Sequence, residues 1–461
     1  MYIILPKTLD EQIKACKFTP IITNKVYSFI DEIFFMTNDS MIYDNENTVI
    51  NSVEMRSEYL RKKYSSKYCV QFLDILLKNN IVKRTPFYNH NIADRYNGKA
   101  QISDHCFGYY INPELMDFNG FVWIKYKELK TIKYVKKNIS SLVRDLMKLK
   151  YDIDGMLGEL QKSVITDMEF NEDISDDRVE ITTGGKPYFI KRDKAIAQAK
   201  LKNQDLIRYK DKCYISQRDL FLQQARQKMI ISQLYAITCL LNGKYYATTC
   251  ASNDRLNTNL TNLKKIYIEH GYILLDGKKL VDIDLANSHP ALLSYLFQTN
   301  FKGDNSIKDL MKGLVIPDID TIQMDVKLFI ASSCSGTIYE YLSKHIGWDR
   351  NKAKKAFLRT WYSRPLWAGG DKQKIKAVFP CVISWIDEFK TVNNDYTILS
   401  ILLQKLESRI FIQNIYKELQ RLGFTVFTKH DSILCREDQK PEIMKIMNNL
   451  LAGYGITGKL K

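Results

Sequence analysis

Two stretches of the chain read as short apolar strands, and each carries an aspartate at its turning point. In KLVDIDLANSHPALLSYL, Leu280, Ile283 and Leu285 follow the turn pair Asp276-Gly277, and near Pro290 the apolar spacing changes to that of a helix. Asp284 therefore falls in, or at the end of, a largely buried strand. In GFTVFTKHDSILCRE, two strands flank a tight turn at His430-Asp431-Ser432. Between these stretches the pattern is mostly helical. Asp349 has the character of an N-cap for DRNKAKKAFLRTWYSRP, where Arg350, Lys354, Leu358 and Tyr362 recur every four residues and share one face. A later helix carries Gln404, Glu407 and Arg409, with Leu403, Leu406, Ile410, Ile415 and Leu419 as its apolar face.

The first half of the chain is less regular. Phe72, Leu73, Ile75 and Leu76 have helical spacing, a break comes at Asn79-Asn80, and extended pieces are expected at Ile81-Val82 and in SDHCFGYYINPEL. A helix followed by two short strands is similar to a winged-helix unit, whose Lys83-Arg84 would touch phosphate. A small α/β accessory module with a solvated, charged edge accounts for the same pattern. An acidic cluster, Glu172, Asp173, Asp176 and Asp177, lies before Gly184-Gly185 and reads as a solvated linker. Residues 191 to about 235 are rich in Lys, Arg and Gln at helical spacing, and LLNGKYYATTCA predicts a hairpin around Asn242-Gly243.

Composition narrows the class. At 461 residues the chain is long enough for about three domains of roughly 150 residues. The formal charge of +16, with 68 Lys and Arg, suits a polyanion-binding protein, although a large soluble enzyme with scattered lysines also fits. The nine cysteines include no Cys-x-x-Cys pair and the six histidines no His-x-x-x-His spacing, so neither a zinc site nor a disulfide framework is indicated. With no export signal and no long apolar segment, a reduced, cytoplasmic location is expected, in a bacterial or phage-infected cell, without membrane attachment.

An unpaired carboxylate in a buried strand is costly, so Asp284 needs a partner or a cation. A lone aspartate of this kind is usually bonded to backbone. Asp431 changes the balance, because two strand-borne carboxylates meeting in one sheet hold two divalent cations, as in-line phosphoryl transfer requires.

These residues resemble the family A DNA polymerases and the related phage-type single-subunit RNA polymerases, over about Arg255 to Glu437. Arg255-Leu256 followed by Asn262-Leu263 repeats a family run lying against primer and template. Asp284 matches the metal-binding aspartate of motif A, with Asn287 in place of a Gln and His289 in place of a sugar-selecting Glu. Arg350, Lys354 and Tyr362 keep the spacing of the fingers helix, motif B, with Leu358 in place of an aromatic residue and Ser363 in place of a Gly. His430-Asp431 matches motif C, followed by Ser432 as in the RNA polymerases. Gln404 is similar to a glutamine that contacts the minor groove of the primer-template.

The resemblance implies an α+β right-hand polymerase with an antiparallel palm sheet and helical fingers and thumb. Its parts would be an N-terminal α/β accessory domain, of winged-helix type or otherwise, over 1–150; the acidic linker, 151–190; thumb-like helices and hairpin, 191–250; palm with motif A, 251–300; fingers, 301–395; and palm with motif C, 396–461. It implies two Mg²⁺, or Mn²⁺ in their place, on Asp284, Asp431 and the Leu285 carbonyl. Arg350 and Lys354 would hold the triphosphate, with Lys354 protonating the departing pyrophosphate; His289, Asn287, Leu358 and Tyr362 would line the nucleotide, and Arg255, Asn262, Gln404 and His430 the primer-template. The expected protein is a monomer that extends a DNA primer from nucleoside triphosphates without a proofreading exonuclease. A primase or RNA polymerase using NTPs, and a non-catalytic DNA-binding replication initiator, are the alternatives.

Overall fold

The chain divides into two units, Met1–Ile139 with Asp152–Lys244, and Ser140–Tyr151 with Tyr245–Lys461. The computed structural model describes residues 1–39, 53–84, 106–117, 120–127, 141–166, 178–183, 186–209, 212–298, 323–365, 369–457 and 460–461. Both units mix helix and strand, and no helix among the described residues is long and apolar enough to cross a membrane.

In the first unit a two-stranded antiparallel ribbon pairs Tyr2–Pro6 with Phe121–Lys125. The helices Pro20–Asp39, Ser57–Tyr64 and Ser66–Lys78 accompany a three-stranded antiparallel sheet in which Cys106–Ile111 lies between Val53–Arg56 and Val82–Arg84. Phe29, Tyr64, Phe72 and Tyr109 pack edge to face or tilted, with ring centroids 5.4 to 6.0 Å apart, the geometry aromatic quadrupoles favour.

Residues 152–244 depart from the expected linker and helical pair. The stretch 151–190 contains the helix Ile153–Thr166 and the hairpin Arg178–Thr183 with Lys186–Lys191; the acidic cluster at 172–177 lies outside the described residues. After the helix Arg192–Leu201 the chain forms a second hairpin, Asp205–Tyr209 with Lys212–Ser216, before the long helix Arg218–Leu241. The second hairpin is buried on both faces: Ile207, Cys213 and Tyr214 are buried strand residues, and Cys213 packs with Val179, Ile181 and Ala195. Asn242-Gly243 is not a hairpin either. Asn242 caps the long helix, donating to Thr238 O at 2.9 Å and to Tyr2 O at 2.7 Å, and Gly243 takes the positive φ that ends a helix. The ribbon pairs Ala247–Thr249 with Leu256–Thr258 instead.

The second unit is built on a five-stranded antiparallel sheet in the order Phe427–Lys429, Ser432–Arg436, Lys278–Asp284, Ile273–Leu275, Leu149–Tyr151. Asp276 and Gly277 both have positive φ, 50° and 77°, as a two-residue hairpin turn requires. This turn fixes the register of Lys278–Asp284, whose Leu280 and Ile283 go to the core. The helix Lys440–Ala452 packs on the strand Lys278–Asp284, and the helices Ser288–Gln298, Arg350–Tyr362 and Pro380–Val392 pack on the helix Ile398–Ser408. The last of these continues as a π-helix through Arg409–Tyr416 and as an α-helix through Lys417–Arg421.

Candidate active site

The strand Lys278–Asp284 runs antiparallel to Ser432–Arg436 with Asp284 opposite Ser432. Asp431 is the residue before that partner, in the turn from Lys429 to Ser432, where His430 takes a left-handed φ of 60° and Ser432 Oγ donates to Lys429 O at 2.9 Å. The two aspartates expected from the sequence therefore meet at one end of the two central strands. The chain then turns through Asn287, also left-handed at φ 58°, into the helix Ser288–Gln298.

Burial and repulsion between carboxylates dominate the electrostatics of the pair. Burial, then the charge of Asp431, then that of Asp282, push Asp284 up to about 6, against the pull of Lys265 and Lys461. Burial and then Glu407 push Asp431 up as well, while His289 and Ser288 draw it down. Nearby, Asp282 Oδ1, Asn287 Nδ2 and His430 Nδ1 are buried without a hydrogen-bond partner. Two crowded carboxylates and the orphaned Asp282 Oδ1 fit a divalent cation, whereas the Asn287 amide nitrogen is a donor and would not ligate one. Among the described residues no three acidic, His or Cys side chains form a closed cage, and Mg²⁺ usually takes only one or two carboxylates, filling its octahedron with water and phosphate.

Beside the aspartates runs a chain of polar contacts. Tyr362, at the end of the helix Arg350–Tyr362, bonds His289 Nδ1. His289 Nε2 lies 3.2 Å from Glu407 Oε2. Arg255 grips the same carboxylate with two bonds, of 3.1 and 2.9 Å. Since a carboxylate only accepts, Nε2–H donates to Glu407, leaving Nδ1 to accept from the Tyr362 hydroxyl in the neutral imidazole. Glu407 is 1% exposed. Burial alone would raise its carboxyl, but the bonds from His289 and Arg255 hold it below the usual range. Burial pushes the Tyr362 hydroxyl up and His430 down.

The helix Arg350–Tyr362 starts as its sequence predicts, with the Asp349 carboxylate accepting from Asn351 N and Lys352 N at 2.9 and 3.0 Å. Lys354 and Leu358 lie on the face between Arg350 and Tyr362, and Lys354 is exposed. Arg350 is engaged: Nε bonds Glu340 Oε1 at 2.6 Å, and the guanidinium lies 5.7 Å from the centre of the Tyr339 ring. The far end is held by two buried lysines. Lys390 donates to Trp361 O and, at 2.7 Å, to Ser363 O, while Lys372 donates to Pro365 O at 2.8 Å and pairs with Asp387 at 2.7 Å. Burial draws Lys390 down to about 8. Replacing Lys390 by Met strips both carbonyls of their donor and is expected to lower stability by about 1–3 kcal/mol, measured as a shift in the urea midpoint; an unchanged midpoint would show that the cap is dispensable.

Several other expected residues have partners within the protein. Arg255 faces Glu407; Gln404 accepts from Asn253 at 2.9 Å and donates to Ser400 at 3.2 Å; Asn262 donates to the Tyr246 hydroxyl at 2.6 Å. Leu285 pairs with Leu460 in an isolated antiparallel bridge, and Lys461 N donates to Asp284 O at 3.0 Å. Lys461 acts electrostatically on both Asp284 and Glu340. Sequence patterns assign no role to Glu407, Glu340 or Lys461. Of the three, only Glu407 carries a signal, being a carboxylate on the apolar face between Leu403 and Ile410. No protein-family model matches the chain, and no curated protein matches it significantly.

Proposed function

We propose that the chain is a template-directed DNA polymerase, similar in its second unit to the family A enzymes, that extends a primer from deoxynucleoside triphosphates and has no proofreading exonuclease. The observation that carries this reading is the meeting of Asp284 and Asp431 on adjacent strands beside the Tyr362–His289–Glu407–Arg255 chain. Asp284, Asp431 and the Leu285 carbonyl would hold two Mg²⁺, which supply activation of the primer hydroxyl and charge neutralisation at the leaving pyrophosphate.

The remaining work falls to side chains. Arg350 exchanges Glu340 for the triphosphate; both partners of that ion pair are about half exposed, at 42% and 51%, and such pairs contribute only about 0–1 kcal/mol. Lys354 stands one turn further along the same face, about 6 Å on, where it holds the leaving phosphates and delivers a proton to them. Tyr362 and His289 floor the sugar. Both imidazole nitrogens are engaged, one by Tyr362 and one by Glu407, so a 2′-hydroxyl would meet a bulky ring with no polar atom to spare. That favours deoxynucleotides.

The test is extension of a labelled primer on a DNA template with Mg²⁺, with dNTPs or NTPs, beside an unprimed template. Extension by dNTPs is expected, and His289→Ala is expected to raise NTP use about tenfold or more by opening space at the sugar. Products from NTPs on the unprimed template would make the chain a primase, and no product under any condition would leave a DNA-binding initiator.

A further inference from the structure

The first unit contains a helical arrangement with no part in the proposed nucleotidyl transfer. From Pro20 to Ile111 the described elements run in the order helix, strand, helix, helix, strand, strand, and the first strand pairs with the last, which also pairs with the middle one. The helices Ser57–Tyr64 and Ser66–Lys78 are joined by Ser65 alone, which turns the chain with a φ of 70°. A tight helix-turn-helix supported by a third helix and a small sheet is an arrangement that presents its second helix to a DNA groove.

The second helix has two unlike faces. Cys69, Phe72, Leu73 and Leu76 are buried, with Phe72 against Phe29 and Tyr64. The opposite stripe, Lys67, Val70, Gln71, Asp74 and Lys78, is exposed. Its chemistry is ordered: a cation near each end and, toward the middle, Gln71 next to Val70, an apolar side chain left 51% exposed. A carboxamide bonds the N6 and N7 edge of adenine, and a branched apolar side chain fits the thymine methyl group. Arg61 and Lys62 of the preceding helix are exposed too, so the two helices offer four exposed cations against the carboxylates of Glu58 and Asp74. Lys63 is engaged with Glu32 at 2.9 Å. Thirteen residues make a helix about 20 Å long, which the major groove, about 12 Å wide, admits.

We propose that the helix Ser66–Lys78 reads double-stranded DNA in the major groove, with Gln71 and Val70 contacting an A·T pair or step and Arg61, Lys62, Lys67 and Lys78 contacting phosphate. The chain then carries a sequence-specific duplex-binding site that is separate in sequence from the residues assigned to nucleotidyl transfer. This site would direct the protein to a defined DNA element. The proposal stands or falls independently of the polymerase reading.

The experiment uses the full chain and a library of DNA duplexes with a randomised centre, selected by binding without nucleotides and read by sequencing, followed by fluorescence anisotropy on the enriched duplex. A common A·T-containing sequence is expected to emerge. Gln71→Ala is expected to cut the preference for that sequence over a scrambled duplex by about 5- to 100-fold. Lys67→Glu is expected to weaken binding to both duplexes and to lower the salt slope by about 1. Gln71 is exposed, so Gln71→Ala should unfold like the wild type and extend a generic primer-template equally well. The proposal is overturned if no sequence is enriched, or if Gln71→Ala keeps the full preference, in which case the stripe would face a protein or solvent. Selection without primer extension would remove the polymerase reading and leave this one, and extension without selection would do the reverse.

Discussion

Asp284→Asn is expected to abolish primer extension while making the metal-free protein more stable. The loss comes from the proposed chemistry: without one of two carboxylates the cations are not held, and the rate should fall by at least ~10³-fold. The gain comes from electrostatics. Asp284 titrates at about 6, chiefly because it is buried and secondly because Asp431 is beside it. A carboxyl whose folded value lies above its unfolded one makes the charged form a burden on the folded state. That burden is fully present above about 6 and is lifted as the pH falls toward the unfolded value of about 4. Discounted for solvent at a partly exposed site, it amounts to about 1–2 kcal/mol. The wild type should therefore gain stability relative to Asp284→Asn as the pH is lowered across that window, and Mg²⁺ should raise the melting temperature of the wild type but not of the variant. Calorimetry with and without Mg²⁺ at several pH values measures all three effects. Normal extension by the variant, or a lower metal-free melting temperature at neutral pH, would dispose of the two-carboxylate assignment.

The features legible in the sequence are local ones. Asp284 and Asp431 are placed by short apolar strands and by turns whose residues, Asp276-Gly277 and His430-Asp431, are neighbours in the chain. The helix start at Asp349 is likewise a matter of three or four consecutive residues. Features decided at a distance leave no such trace. The partner of Arg255, Glu407, lies 152 positions away, and no local pattern announces such a pair. Lys461 reaches Asp284 only because residues 460 and 461 lie along the end of its strand. The hairpin Asp205–Tyr209 with Lys212–Ser216 is hidden for a different reason: it is buried on both faces, Ile207 with Tyr214 on one and Cys213 on the other, so its apolar residues do not alternate with polar ones. Asn242-Gly243 shows that a strong turn dipeptide marks the end of an element without specifying whether a strand or a loop comes next.

Arg255→Ala is expected to cost about 3 kcal/mol of stability, the largest loss of any single substitution near the site. Glu407 is 1% exposed and has two cationic or proton-donating neighbours, Arg255 at 2.9 Å and His289 at 3.2 Å. Removing one partner of a buried pair leaves the other's charge uncompensated, and that costs about 3–5 kcal/mol; the remaining bond from His289 puts the expectation at the lower end. The pH dependence has a definite sign. In the wild type the Glu407 carboxyl is held below its usual value, so its contribution is complete at neutral pH and disappears only as the pH falls through that lowered value. Without Arg255 the opposing burial dominates and the carboxyl titrates higher, so the sign reverses: the variant's loss is full at neutral pH and shrinks as the pH falls through the raised value. Urea unfolding of both proteins between about pH 4 and 8 measures the difference. Replacing both residues, Arg255→Met with Glu407→Leu, separates charge from packing: most of the stability should return, because no lone charge is left buried. Primer extension should stay impaired, because His289 has lost the acceptor that orients its ring toward Tyr362. A single Arg255→Ala variant within about 0.5 kcal/mol of the wild type would mean that Glu407 is adequately held by His289 alone, and the chain from Tyr362 to Arg255 would then lose its last link.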